Sequence, residues 1–414
     1  MKSWARPAIP CIPGEGIRPQ IFDSRTKTMV AVGPESGEAR FYACGITPYD
    51  SAHLGHAFTY VVSDLLHRVW LDAGLGVHYT QNITDVDDPL LERAKATGVE
   101  WEELAHSQID LFAKDMEALR VIPPQTYTGV VESMDETIAL VGKLVELGAA
   151  YQICDAQYPD WYFSVEQAPD FLEQFLPTGV FASLGAKTLD IFAERGGDPF
   201  REGKRHPLDC LIWRMERPGE PAWESPFGRG RPGWHIECAA ISLASLGPHF
   251  DVQAGGSDLY FPHHPMCAAE AEKVTGQPFA SAYLHVGMVG LDGEKMSKSK
   301  GNLVFVHKLI DAGVSPMSIR LLLLKRGYVT NWGYTETGLA AAADRAQTWQ
   351  KALSRPAAPP AAPVIAAMRQ ALANDLDAPK ALAAVDEWAS LTGTDETAPA
   401  ALADAIDALL GLRW

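Results

Sequence analysis

The sequence predicts an α/β chain: a split, Rossmann-like, doubly wound parallel sheet carrying an insertion, followed by a helical C-terminal region. Three observations predict it. Residues 40–44 are a short apolar run, a Gly- and Pro-containing turn follows, and apolar residues then recur at helical spacing over 57–73 (Val61, Leu65, Leu66, Trp70, Leu71). Residues 77–81 read as the next strand, which completes a βαβ unit. Strand-like runs resume only at 250–253 and 283–286, so the sheet is divided by intervening chain.

The organisation follows in order. Residues 1–115 hold the first half of the catalytic sheet. Residues 116–205 form an inserted connective region: helical patterns fill much of 100–150, and 151–205 is mixed and rich in aromatics. Residues 206–305 hold the second half, and 306–414 read as helical. The run Pro356-Ala-Ala-Pro-Pro-Ala-Ala-Pro363 reads as a linker before a short Ala-rich helical tail. There is no internal repeat.

Composition narrows the function classes. The 414 residues carry 35 Lys and Arg against 52 Asp and Glu, a formal charge of −17, which argues against a nucleic-acid partner held through phosphates. No apolar run approaches a membrane span, and the first ten residues lack the apolar core of a secretion signal. Six scattered cysteines do not make a disulfide framework. The expectation is a cytoplasmic monomer with no membrane partner.

Two short motifs carry phosphate chemistry. His53-Leu-Gly-His56 stands where a loop enters a helix. Free amides and the helix dipole favour phosphate there, and the imidazoles of His53 and His56 add donors. Gly55 permits close backbone approach. About 240 residues later, Leu291-Asp-Gly-Glu-Lys-Met-Ser-Lys-Ser-Lys300 places Lys295 and Lys298 on a Gly-containing loop, suited to closing over phosphates as charge develops on a leaving group. Either motif alone is an ordinary surface feature; the ordered pair is specific.

A thiol and imidazole constellation accompanies them. Cys44 ends the first strand, Cys238 closes Gly233-Trp-His-Ile-Glu-Cys238, and His263 and His264 follow in Phe261-Pro-His-His264. On a helix Cys267 shares a face with His263. Zn²⁺ takes four such ligands, or three with a substrate. A soft cation there distinguishes a substrate thiolate from the harder oxygen of serine. Cys11, Cys154 and Cys210 are expected to be buried free thiols behaving as small hydrophobes.

Over about residues 40–302 these motifs resemble the cysteinyl branch of the class I aminoacyl-tRNA synthetases, together with Asn82-Ile-Thr-Asp-Val-Asp-Asp88 and Gly255-Gly-Ser-Asp258. The resemblance implies attack of a carboxylate on the α-phosphate of ATP, with His53, His56, Lys295 and Lys298 as catalytic residues and Mg²⁺ accompanying ATP. It implies one Zn²⁺ per chain on Cys44, Cys238 and His263. It implies a cysteinyl-adenylate pocket formed by Cys44, Gly45, Ile46, Thr47, Thr59, Asn82, Ile83, Thr84, Trp234, Gly256, Ser257, Asp258 and Val289, with Asp258 opposite the substrate ammonium.

Two relatives share that core: cysteinyl-tRNA synthetase, and a mycothiol-pathway ligase that joins cysteine to the amine of glucosaminyl-inositol. Four features resemble the ligase: the opening Lys2-Ser-Trp4 with spaced prolines, Asp87-Asp-Pro-Leu-Leu-Glu-Arg-Ala94, Glu194-Arg-Gly-Gly-Asp-Pro199, and only about 115 residues after Ser299. The partners implied are ATP, L-cysteine and glucosaminyl-inositol; the alternative is a shortened synthetase that charges tRNA. One departure stands out. Where synthetases place a fourth zinc ligand, Glu, this chain has Cys267, which is either a fourth ligand or a bystander. The bystander is preferred, because a closed site hinders thiolate binding.

Overall fold

The computed structural model describes residues 1–168, 185–291, 294–296 and 303–414. Its centre is a five-stranded, wholly parallel sheet. After an N-terminal hairpin of β1 (Gln20–Asp23) and β2 (Thr28–Ala31), β3 (Glu38–Ala43) enters the sheet. Helix α1 (Leu54–Asp72) crosses over to β4 (Gly76–Ile83), and α2 (Asp88–Thr97) and α3 (Trp101–Ala118) lead to β5 (Thr126–Gly129). The second half contributes β10 (Phe250–Gly256) and β11 (Ala280–Val286) on the other side of β3. Strands buried on both faces explain the apolar runs: Phe41, Tyr42 and Ala43 are all nearly inaccessible.

Between the halves come α4 (Met134–Glu146) and a separate antiparallel sheet of β6 (Ala150–Gln152), β7 (Trp161–Phe163), β8 (Cys210–Met215) and β9 (Gly230–Pro232), with α5 (Ala186–Glu194) between β7 and β8. The pairing therefore carries the first half of the main sheet through Gly129 and the inserted sheet through Pro232, past the expected limits at 115 and 205. Strand β5 escaped notice because it is four residues long and polar at alternate positions. Helix α6 (Trp234–Leu246) leads into β10, and α7 (His263–Thr275) leads into β11.

The chain continues through β12 (Val289–Leu291), β13 (Glu294–Lys295), α8 (Val306–Asp311), α9 (Pro316–Leu324), β14 (Trp332–Tyr334), α10 (Glu336–Leu353), α11 (Ala362–Ala373), α12 (Ala378–Ser390) and α13 (Ala398–Leu410). The Pro-rich run is not a free linker. Ala358 is fully buried, exchanges backbone hydrogen bonds with Asp395 at 3.0 Å, and the Trp388 indole donates to Pro359 O at 2.7 Å. The C-terminal helices share the core of the parallel sheet, and α13 packs on α1.

A buried ionic knot joins the two. Asp64 of α1 accepts from Arg68 Nε at 2.7 Å, from Arg320 and from the Ile122 amide at 2.8 Å. Arg320 donates to Leu410 O at 2.6 Å, and Arg68 to Asp407 O at 2.8 Å. Both arginines are inaccessible, so each spends its donors on carbonyls and one carboxylate. The cysteines also depart from expectation: Cys210 is buried, but Cys11 and Cys154 are exposed, on irregular segments outside the core.

Candidate active site

The carboxyl ends of β3 and β10 flank a cleft of about 360 Å³ where the connections of the sheet diverge. Open α/β sheets bind ligands at such switch points. Cys44, Gly45, Ile46 and Thr47 after β3, His53, His56 and Thr59 at the start of α1, and Trp234, Gly256, Asp258 and Val289 from the second half all line it. Asn82, Ile83, Thr84 and Ser257 do not. Asn82 is fully buried, accepts the Gly45 amide at 2.7 Å and donates to Thr84 Oγ1 at 3.2 Å, so it braces the loop after β3 from behind.

Main-chain pairing joins the start of α1 to the segment 304–306, which follows the second phosphate motif. His53 bridges to Phe305, the Leu54 amide donates to Val304 O at 2.9 Å, and the Val306 amide donates to Ala52 O at 3.1 Å. Met296, inside the pentapeptide, is buried and lines the same cleft as His53 and His56. Lys295 ends β13, paired with Gly290; Lys298 lies outside the described residues.

His53 caps α1. Its Nδ1 accepts the Gly55 amide at 3.0 Å and the His56 amide at 3.4 Å, which puts the proton of the neutral ring on Nε2. Burial lowers His56 to about 4, and its Nδ1 has no hydrogen-bond partner among the described residues. The two rings stack at 3.8 Å. Two neutral imidazoles at the start of a 19-residue helix make a donor-rich anion site.

Cys44, Cys238 and His263 converge beside this cleft, their ligand atoms within 4.8 Å of one another and all buried. Tetrahedral zinc holds sulfur at about 2.3 Å and nitrogen at about 2.0 Å, so its ligands stand somewhat under about 4 Å apart, and this donor set fits with slight closure. Hydrogen bonds from the Cys267 and Cys44 thiols pull Cys238 well below the usual thiol range, whereas burial pushes Cys44 and Cys267 up. Two buried cysteine sulfurs and an imidazole are soft and borderline donors that suit a soft dication.

The description of the matching family model is the class I (C) tRNA synthetase catalytic domain, and it spans residues 31–344. The chain belongs to this family. Among curated relatives, the L-cysteine:1D-myo-inositol 2-amino-2-deoxy-alpha-D-glucopyranoside ligases of Kribbella flavida and Nocardiopsis dassonvillei are 55% and 56% identical to it, each covering 100% of both chains. Among solved structures, Mycobacterium tuberculosis methionyl-tRNA synthetase with methionyl-adenylate has the same fold: TM-score 0.62, 16% identity, 90% of this chain and 89% of that one. The ternary complex of Agrobacterium radiobacter K84 agnB2 LeuRS, tRNA and LeuAMS gives 0.63 at 12% identity, covering 91% and 83%.

Within this class I frame, His235 and Tyr60 escaped the sequence reading, while Cys267, His264 and Trp234, which it named, stand around the same cluster. His235 Nδ1 is 3.0 Å from His263 Nδ1, and the Cys267 thiol donates to His235 O at 3.2 Å while standing 3.6 Å from His263 Nε2. His264 Nε2 is 3.3 Å from Cys44 Sγ. The Trp234 ring stacks on His263 at 4.4 Å. Tyr60 donates to Cys44 O at 3.0 Å and fixes the end of β3. His235 sits inside a motif already noted, which was its only signal; Tyr60 reads as helical core. Among the described residues, no helix is long and apolar enough to cross a membrane.

Proposed function

We infer that the chain is an ATP-dependent, amide-forming ligase of mycothiol biosynthesis. It activates L-cysteine as cysteinyl-AMP, releasing diphosphate. It then transfers the cysteinyl group to the amine of 1D-myo-inositol 2-amino-2-deoxy-alpha-D-glucopyranoside, releasing AMP. The observation that supports the adenylation half is one cleft lined by His53, His56 and Met296 with the Cys44, Cys238 and His263 cluster beside it. The full-length relatives named as this ligase support the acceptor.

In the first step a carboxylate oxygen of cysteine attacks the α-phosphorus, and the bond to the diphosphate oxygen breaks. The start of α1, with His53 and His56, holds the phosphates, and Lys295 and Lys298 offset charge on the departing diphosphate. Asp258 receives the cysteine ammonium. Cys44, Cys238 and His263 would hold Zn²⁺, which when bound would supply a soft Lewis acid for the substrate sulfur and so favour cysteine over serine. Cys267 stays outside that set as a thiol donating to His235 O. Mg²⁺ accompanies ATP. In the second step the unprotonated amine attacks the acyl carbon, and the bond from that carbon to the AMP oxygen breaks. The proposed setting is the cytoplasm, where thiols stay reduced, with the chain acting as a monomer.

The test is AMP release with cysteine and ATP, with glucosaminyl-inositol or tRNA added. Stimulation by the amino sugar alone is expected. Stimulation by tRNA alone would replace the ligase with a shortened synthetase.

A further inference from the structure

A second cleft of about 550 Å³ adjoins the first, a size that small-molecule sites commonly have, about 300–1,000 Å³. The two share Thr47, Trp234 and Asp258 in their linings, so the second lies directly beside the pocket assigned to the adenylate. We propose that this second cleft, walled by Asp87, Asp88 and Glu92 on one side and by the 194–198 turn on the other, is the subsite for an amine-bearing polyol acceptor. The proposal rests on the ligase reading above.

Charge selects the class of occupant. Six carboxylates and three guanidiniums line the cleft. The arginines are already committed: Arg214 to Asp88 and Glu220, each at 3.1 Å, Arg231 to the same pair, and Arg195 to the carbonyls of Asp258, at 2.5 Å, and Phe261. Glu92 and Glu194 are exposed to the cleft and, among the described residues, have no ion-pair partner. What remains for a ligand is therefore carboxylate acceptor capacity. Vicinal hydroxyls of a polyol supply matching donors and leave the amine free to attack. A phosphate-rich strand meets a wall of its own sign.

The motif Glu194-Arg-Gly-Gly-Asp-Pro199 now has a use. Gly196 takes a φ of +82°, and a Cβ on Gly197 would strike the Phe192 ring. Arg195 ties the turn to the adenylate cleft, while Asp198 accepts from Tyr162 and from Lys204 Nζ at 2.9 Å. The turn is pinned at both ends and holds Glu194 at the rim.

The experiment compares the wild-type enzyme with the double variant Glu92→Gln/Glu194→Gln. Amide formation is measured against varied glucosaminyl-inositol, and cysteine-dependent ATP–diphosphate exchange reports the neighbouring cleft. The expected result is an acceptor KM raised at least about ten-fold with exchange near the wild-type rate. An unchanged acceptor KM overturns the subsite and leaves the ligase reading standing. Equal loss of exchange and amide formation also overturns it, since the residues would then act on adenylation. A wild-type enzyme that ignores glucosaminyl-inositol altogether sinks the ligase reading, and the subsite with it.

Discussion

Gly45→Ala tests the geometry of the adenylation cleft more sharply than removal of any charged group. Gly45 follows β3, and its amide donates to Asn82 Oδ1 at 2.7 Å. A Cβ there would fall on the carbonyl oxygen of Asn82, closer than real side chains approach backbone. The Thr84 amide donates to Ile46 O at 3.0 Å, so the two strand ends are laced together and cannot part locally. Relief requires the 44–47 loop to move by about 1 Å, and a shift of that size away from the chemistry lowers rates about 10²-fold, or about 2.7 kcal/mol in the barrier. Overpacking of this kind destabilises by about 1–3 kcal/mol, within the roughly 5–15 kcal/mol of a stable domain, so the variant should stay folded. The assay is cysteine-dependent ATP–diphosphate exchange, with calorimetry to confirm folding. Gly327→Ala, with open space around its Cβ, serves as the control. A folded Gly45→Ala enzyme exchanging within about three-fold of wild type would refute the reasoning, since a misplacement of about 1 Å should be felt far more strongly.

Three further outcomes are expected. Cys238→Ser should remove most bound zinc by elemental analysis, since it replaces one of the two sulfur donors of the cluster with a harder oxygen; full retention would refute the ligand assignment. Asp64→Asn leaves two guanidiniums buried around a neutral amide and should lower stability in denaturant unfolding by about 3–5 kcal/mol; a loss below about 0.5 kcal/mol would show that the knot is not a true ion pair. Acid stability should follow His67, whose ring nitrogens have no hydrogen-bond partners among the described residues and which burial lowers from 6.5 to about 3. A depressed pKa means that the unfolded chain takes up the proton first, so this contribution is complete above about pH 6.5 and is lost as pH falls towards about 3. For Asp64, burial alone would raise the carboxyl, but Arg68 and Arg320 outweigh it and hold it at about 2, which adds a second loss between 3.8 and about 2. His67→Phe should therefore flatten the decline of the urea midpoint between about pH 6.5 and 4, and an unchanged slope would refute the assignment.

The sequence by itself determined the local chemistry. The strand, turn and helix around 40–73 follow from apolar period, and the helix begins at a His-rich cap because an N-terminus needs acceptors for its open amides. The ligand types of the metal cluster were legible because Cys and His carry their chemistry wherever they are placed. Four things waited for the tertiary structure. Thr126–Gly129 and Gly230–Pro232 are too short for periodicity to reveal, and only their ladders assign them to different sheets. The Pro-rich run looks like a linker because composition does not register burial, yet Ala358 and Pro359 are held by Asp395 and Trp388. Asn82 and Thr84 read as pocket residues in a motif; the fold has Asn82 accept the Gly45 amide and donate to Thr84 Oγ1 behind the loop. The second cleft lies furthest from any sequence signal. Asp87, Glu92 and Glu194 are ordinary charged residues until a switch point in the parallel sheet and an inserted antiparallel sheet face each other across it, because side chains so distant in sequence share a site only through long-range packing.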